Sequence, residues 1–379
     1  MIKSKLPDIG TTIFTVMSKM ADEAGALNLS QGFPDFEVSR ELIAHVSNAM
    51  KQGHNQYAPM PGLLFLRKSI ANSLKDTYNW NGDIVTEITV TGGATEALYS
   101  CITAFIHPGD EVLIIEPAYD SYIPAVRLSG GVPVPVQLNP ENFSVQWNNV
   151  EEAITEKTKM IIINTPHNPT GSVWSKTDLI KLEQVAIERN LLVLSDEVYD
   201  RIIFDGLQHE SVLRFPELRK RSMAVFSFGK TFHVTGWKVG YVVAPDYLTS
   251  EIRKVHQFLN FSVNTPIQYG LATYLADINH YQNLHIFYEK KRDLFLKRIT
   301  GSRFKPVKCS GTYFQLLSYA AISDKDERTM AEYLTKEYKI ASIPVSPFYS
   351  DQRNNNILRF CFAKKDETIK KAAKILCRI

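Results

Sequence analysis

Lys230 stands in the run Ser227-Phe228-Gly229-Lys230-Thr231-Phe232, just after the apolar stretch Met223 to Phe226. Most lysines sit on solvated faces. This one is flanked by two phenylalanines, and Gly229 lets the backbone turn tightly beside it. An amine that loses part of its water loses part of its preference for the charged form, and can then attack a carbonyl. The same stretch would also suit a plain loop lysine capping a strand, so its neighbours must decide.

Four further polar groups each follow an apolar run. Tyr119 follows the run ending at Ile115. Asn168, in Asn164-Thr165-Pro166-His167-Asn168-Pro169-Thr170-Gly171, follows the run ending at Ile163. Asp196 comes directly after Leu194-Ser195, with Tyr199 three residues on. Ser227 precedes Lys230. Taken singly, Asp196 could be a helix cap and Asn168-Pro169 a turn. Delivery of five such groups to the ends of apolar runs is harder to explain that way. A further run, Ile88-Thr89-Val90-Thr91, leads into Gly92-Gly93-Ala94-Thr95-Glu96. Strand, glycines and helix start present free N–H groups to an anion. The loop lacks the lysine of a Walker motif and the third glycine of a dinucleotide fingerprint.

The elements that must position these groups alternate. Strands are expected at Ile88–Thr91, Val112–Ile115, Val132–Val136, Met160–Ile163, Leu191–Leu194, Met223–Phe226 and Val239–Val243. Helices are expected between them, near 94–105, 121–129, 147–154 and 176–189. Earlier, helices are expected at 14–21, 40–51 and 63–78. Near-continuous apolar strands separated by helices predict a parallel or mixed sheet covered on both faces, with ligands beyond the strands' carboxyl ends. After about Thr249 the pattern becomes helical. A helix over 280–298, a strand at Gly311–Leu316, a helix over 329–337 and a strand at Ile357–Phe362 form a separate α+β unit. Arg359 alternates out of that last strand, either into solvent or into a cleft as a carboxylate clamp.

Composition excludes other classes. The chain has 379 residues, 44% hydrophobic and 22% charged, with a net charge of +3. Such a charge argues for neither nucleic acid nor a membrane surface. Four scattered cysteines suggest no metal site or disulfide framework, and fit a reducing, cytoplasmic compartment. Residues 1–39 are too short and too neutral for a DNA-binding extension.

In combination, Asn168-Pro169-Thr170-Gly171, Ser195-Asp196-Glu197-Val198-Tyr199, Ser227-Phe228-Gly229-Lys230, Gly236-Trp237-Lys238-Val239-Gly240 and Arg359 resemble the class I aminotransferases, fold-type-I pyridoxal-phosphate enzymes, across essentially the whole chain. Gly10-Thr11-Thr12-Ile13-Phe14, Ser30-Gln31-Gly32-Phe33-Pro34-Asp35-Phe36 and the stretch Phe258 to Pro266 look most like the bacterial methionine aminotransferases and the related kynurenine and glutamine aminotransferases.

The resemblance implies an α/β fold. A large domain (46–275) would carry a mostly parallel mixed sheet sandwiched by helices. A smaller α+β domain (276–379) would be joined by the N-terminal segment (1–45). It implies pyridoxal 5′-phosphate held covalently by Lys230, which would also carry the proton at the substrate Cα. Asp196 would face the ring nitrogen. Tyr199 and Asn168 would bond the phenolic oxygen, and Tyr119 would stack on the ring. Gly93, Ala94, Thr95, Ser227 and Lys238 would take the phosphate, with Tyr57 reaching it from the second subunit of a homodimer. Arg359, Asn168 and Gly32 would hold the substrate carboxylate. Many members carry arginine at the Lys238 position; lysine still neutralises phosphate, but as a point charge. No second arginine for a dicarboxylate is identifiable, and Phe14, Phe33 and Tyr57 form the expected side-chain lining. The implied reaction passes the amino group of an L-amino acid, methionine or an aromatic one, to a 2-oxo acid. A kynurenine- or glutamine-type transaminase, or a cysteine-conjugate β-lyase, is the alternative on the same fold.

Overall fold

A computed structural model describes residues 3–379; Met1 and Ile2 lie outside the described residues. Its centre is a seven-stranded sheet: β1 (Ile88–Thr91), β2 (Glu111–Glu116), β3 (Val132–Gln137), β4 (Thr158–Asn164), β5 (Leu192–Asp196), β6 (Ser222–Ser227) and β7 (Gly240–Val243). The spatial order is β1-β7-β6-β5-β4-β2-β3. Only β7 runs against its neighbours, pairing antiparallel with both β1 and β6. The other pairs are parallel, which places the ends of β2, β4, β5 and β6 on one edge.

Side-chain alternation along the strands divides the core into two layers. Leu113, Ile115, Ile161, Ile163, Ala224 and Phe226 pack into one cluster. Their neighbours Val112, Ile114, Met160, Ile162, Met223 and Val225 pack into the other. Burial on both faces is why these strands read as continuous apolar runs.

Helices cover the sheet. The longer helices before residue 280 are α1 (Ile13–Ala24), which packs on the second unit, and then α2 (Arg40–Lys51), α3 (Leu64–Tyr78), α4 (Ala94–Phe105), α5 (Tyr122–Leu128), α6 (Lys176–Glu188), α7 (Asp246–Leu259) and α8 (Thr265–Leu275), with a short helix at Trp147–Glu152. Helix α6 starts at a reciprocal capping box of Ser175 and Asp178, which satisfies two otherwise free N–H groups. Helix α4 has no such side chain at its start.

A second, four-stranded antiparallel sheet holds β8 (Phe314–Ser318) and β9 (Ile357–Cys361). It packs with α9 (Leu284–Arg298), α10 (Glu327–Glu337) and α11 (Asp366–Leu376). Leu27 and Asn28 pair in parallel with Ile340 and Ala341, which ties the N-terminal segment to this unit.

Most element boundaries differ from expectation by a few residues, and two of the shifts have a clear local cause. Strand β8 begins at Phe314 rather than Gly311, because Gly311 bridges Ile203 and Thr312 takes φ +66°. Helix α9 begins at Leu284 rather than 280, because Asp277 caps a short 3-10 turn over Ile278–His280. Among the described residues no helix is long and apolar enough to cross a membrane.

Candidate active site

A cavity of about 240 Å³ opens where the carboxyl ends of the parallel strands meet the second sheet. Asp196, the last residue of β5, is buried in its wall. Tyr122 Oη donates to its Oδ2 at 2.6 Å, and the Val198 N–H donates to Oδ1 at 3.3 Å. Burial pushes the Asp196 carboxyl up to about 6, against the downward pull of those two hydrogen bonds. The positive charge of Lys230 also pulls it down, but burial outweighs all three.

Lys230 lies in the short helical turn Phe228–Thr231 that follows β6. Its Nζ makes one long contact, 3.5 Å to the Gly32 carbonyl. The ring centroids of Tyr199 and Tyr313 stand 5.6 and 5.7 Å away. Burial pulls the Lys230 amine down to about 8, and the positive charges of Arg359 and Lys238 pull the same way. Tyr199 is buried, and burial raises its phenol above the usual range, so it remains a hydrogen-bond donor at neutral pH.

Arg359 comes from β9, in the other sheet. It is 1% exposed, so the solvated reading of a lone strand arginine does not hold. Nη1 donates to Asn168 Oδ1 at 2.7 Å and Nη2 to the Ser30 carbonyl at 3.0 Å. The guanidinium carbon lies 3.8 Å from the Phe314 ring centroid. Its Nε is buried without a partner. A fixed guanidinium with N–H donors left free at a cavity wall suits a carboxylate.

Gly93 precedes α4 at φ +84°, a conformation open to glycine, and no side chain caps the helix. The first N–H groups of the helix are therefore available to an anion. A Cβ built on Gly93 would sit 3.5 Å from Lys238 Nζ, so the cation stands directly over this helix end. Ala94, Thr95, Ser227, Tyr119 and Asn168 line the same cavity.

Of the candidates read from sequence, Gly32, Phe14, Gly93, Ala94, Thr95, Tyr119, Asn168, Asp196, Tyr199, Ser227, Lys230, Lys238 and Arg359 all line this one cavity. Phe33 does not. Phe33 is 45% exposed, with the Lys364 ammonium over its ring and donating to its carbonyl at 2.9 Å. Tyr57 also stands outside the cavity of the single chain, 83% exposed against Phe261. Sequence reading missed Tyr122, Phe314 and Asn164. Asn164, the last residue of β4, accepts the Asn168 N–H at 2.7 Å and donates to the Asp196 carbonyl at 2.8 Å. Its place at a strand end was a usable signal, and so was the position of Tyr122 three residues after Tyr119.

Residues 24–376 match the family model of the aminotransferases of class I and II. The chain belongs to that family. Class I aminotransferases use pyridoxal 5′-phosphate, and this one is a transaminase. The cavity fits the group: an uncapped helix end with a lysine for a phosphate, a buried carboxylate for a ring nitrogen, and a depressed amine for an aldehyde carbon.

The aminotransferase is 48% identical to the methionine aminotransferase of Escherichia coli K12, over 99% of this chain and 97% of that one. It is 35% identical to the kynurenine–oxoglutarate transaminase of Dictyostelium discoideum, over 98% of this chain and 94% of that one. Among solved structures it superposes on E. coli YbdL, described with a methionine aminotransferase function, at a TM-score of 0.98 and 47% identity, with both chains covered completely.

Proposed function

We propose that this aminotransferase prefers methionine, and accepts aromatic amino acids, as donors to a 2-oxo acid. One observation carries the preference. Among the described residues lining the cavity, Arg359 is the single arginine, and it is flanked by Phe14 and Phe314 with ring centroids 5.0 and 3.8 Å from its guanidinium carbon. That guanidinium suits the α-carboxylate common to all amino acids, so selectivity falls to the surroundings of the side chain. Burying a methionine or aromatic side chain there contributes on the order of 1.5–3 kcal/mol, and sulfur against aromatic rings adds to it. A distal carboxylate buried without a partner costs several kcal/mol. The relatives named methionine aminotransferase support the same choice.

When bound, pyridoxal 5′-phosphate supplies a conjugated ring that takes up the negative charge left at the substrate Cα. In this reading the Lys230 amine would hold the cofactor and would also move the proton at the substrate Cα. Asp196 would serve the ring nitrogen and favour its protonated form. Tyr199 and Asn168 would serve the phenolic oxygen, and Tyr119 would cover the ring. The N–H groups at Gly93, Ala94 and Thr95, with Ser227 and Lys238, would hold the phosphate. Arg359, Asn168 and the Gly32 backbone would orient the substrate carboxylate.

The active assembly in this reading is a homodimer, with Tyr57 completing the phosphate site of its partner. The exposure of Tyr57 and Phe258, 83% and 87%, supports this, since large aromatics so exposed suit an interface. Residues 46–275 form the cofactor domain, and 1–45 with 276–379 the smaller one.

Steady-state comparison of methionine and aspartate with one common 2-oxo acid tests the substrate reading. kcat/KM for methionine should be greater by at least roughly tenfold, which needs only about 1.4 kcal/mol of differential transition-state binding. Equal or better use of aspartate would overturn it.

A further inference from the structure

A second cavity, about 270 Å³, lies apart from the first and shares no lining residue with it. Its walls come from three places: the end of α3 at Thr77 and Tyr78, the segment from Asp200 to Arg214, and the segment from Tyr281 to His285 that leads into α9.

Two arginines face it from fixed positions. Arg201 stacks 4.8 Å from the Tyr281 ring centroid, donates Nη2 to Ser73 Oγ at 2.9 Å, and sets Nε 3.2 Å from Asp200 Oδ2. Arg214 stands 5.5 Å from the Tyr78 ring centroid and donates Nη2 to the Thr77 carbonyl at 2.8 Å. Aromatic faces hold the guanidinium planes and leave N–H edges free. Arg201 Nη1 and Arg214 Nη1 and Nε have no hydrogen-bond partner among the described residues.

The charges do not balance. Asp200 is the only carboxylate in the lining, and Arg201 and the Tyr78 hydroxyl, at 2.8 Å, already engage it. Arg214 has no carboxylate within ion-pair distance among the described residues. A separate observation concerns His209, which lines the cavity and is 6% exposed. Its Nε2 is 2.7 Å from Glu197 Oε2, while Nδ1 is buried with no partner. With Nε2 donating to the Glu197 carboxylate, Nδ1 presents a lone pair in the neutral ring and calls for a donor such as an ordered water, which leaves anion binding to the two arginines.

We infer that this cavity binds a small oxyanion, phosphate or carboxylate in class, between the free edges of Arg201 and Arg214, with His285 at its side. Such an anion would join the segment that follows Tyr199 to the start of α9, and so tie the central sheet to the first helix of the second unit.

The holoenzyme, with its cofactor phosphate in place, should be titrated with inorganic phosphate by calorimetry. Saturable binding is expected in the wild type, weakened at least roughly tenfold in Arg214→Gln and partly restored in Arg214→Lys. Arg214 is exposed, so the variant should fold; should its melting temperature collapse, His285→Gln reads the same site with the same expected weakening. Acetate as competitor tells a carboxylate ligand from a phosphate one. No saturable binding up to about 50 mM would overturn the inference, since that is weaker than any useful affinity. Binding unchanged in both variants would overturn it too, as would binding lost when a 2-oxo acid fills the first cavity.

Discussion

At the scale of the residue, the cavity works by opposed displacements of two charges. Asp196 is pushed up to about 6 and Lys230 pulled down to about 8, both chiefly by burial. Each therefore carries its charge reluctantly until a partner arrives. For Asp196 without cofactor, stability is full below the usual carboxylate range of ~3.9 and is lost as pH rises through about 6. Cofactor-free Asp196→Asn should therefore gain on the wild type between pH 4 and 6, by on the order of 2–3 kcal/mol. Thermal melts across that range measure it, and a difference independent of pH would show that the carboxylate is not strained. With cofactor, the same variant should keep binding but lose activity at least roughly a hundredfold, since an amide cannot hold a ring nitrogen protonated. Tyr122 fixes Asp196 from behind, at 2.6 Å. Tyr122→Phe should shift the pH dependence of the cofactor's visible spectrum, with little effect on melting temperature; an unmoved spectrum would reduce Tyr122 to a packing residue.

At the scale of the element, most of the chemical groups are delivered at or just beyond the end of a strand or at the start of a helix, while Arg359 comes from the middle of β9. Strand β7 shows how little slack there is. A Cβ on Gly240 would come within 2.6 Å of the Phe226 carbonyl and 2.9 Å of the Ala94 N–H. Gly240→Ala must push the strand or the start of α4, at a cost of about 1–3 kcal/mol. The displaced N–H groups belong to the expected phosphate cradle, so cofactor affinity should fall as well. Equilibrium dialysis of cofactor against wild type and variant checks this, and unaltered affinity would detach the helix end from phosphate binding.

The same scale explains what could be read in advance. The seven central strands were legible because burial on both faces makes them continuous apolar runs. Gly32, Asn168 and Asp196 were legible because they stand where such runs end or the chain turns. Arg359 was ambiguous. What encloses it is Asn168, 191 residues away along the chain, and Phe314 from the neighbouring strand β8. No local pattern carries that information. Phe33 failed for the converse reason: its neighbour Gly32 enters the cavity while its own ring leaves under Lys364.

At the scale of the whole molecule, two units close on one cavity, and the dimer reading adds a second chain. Phe258→Asp should dissociate the dimer and lower activity at least roughly tenfold, because a buried unpaired charge costs several kcal/mol. Sedimentation at the assay concentration follows the first effect; a fully active monomer would remove Tyr57 from the site. The reading as a whole turns on one amine. Borohydride reduction of the intact protein, followed by peptide mapping, tests it most directly. The cofactor should be fixed to the peptide containing Lys230 and to no other. Attachment at Lys238, or at any other lysine, would contradict it.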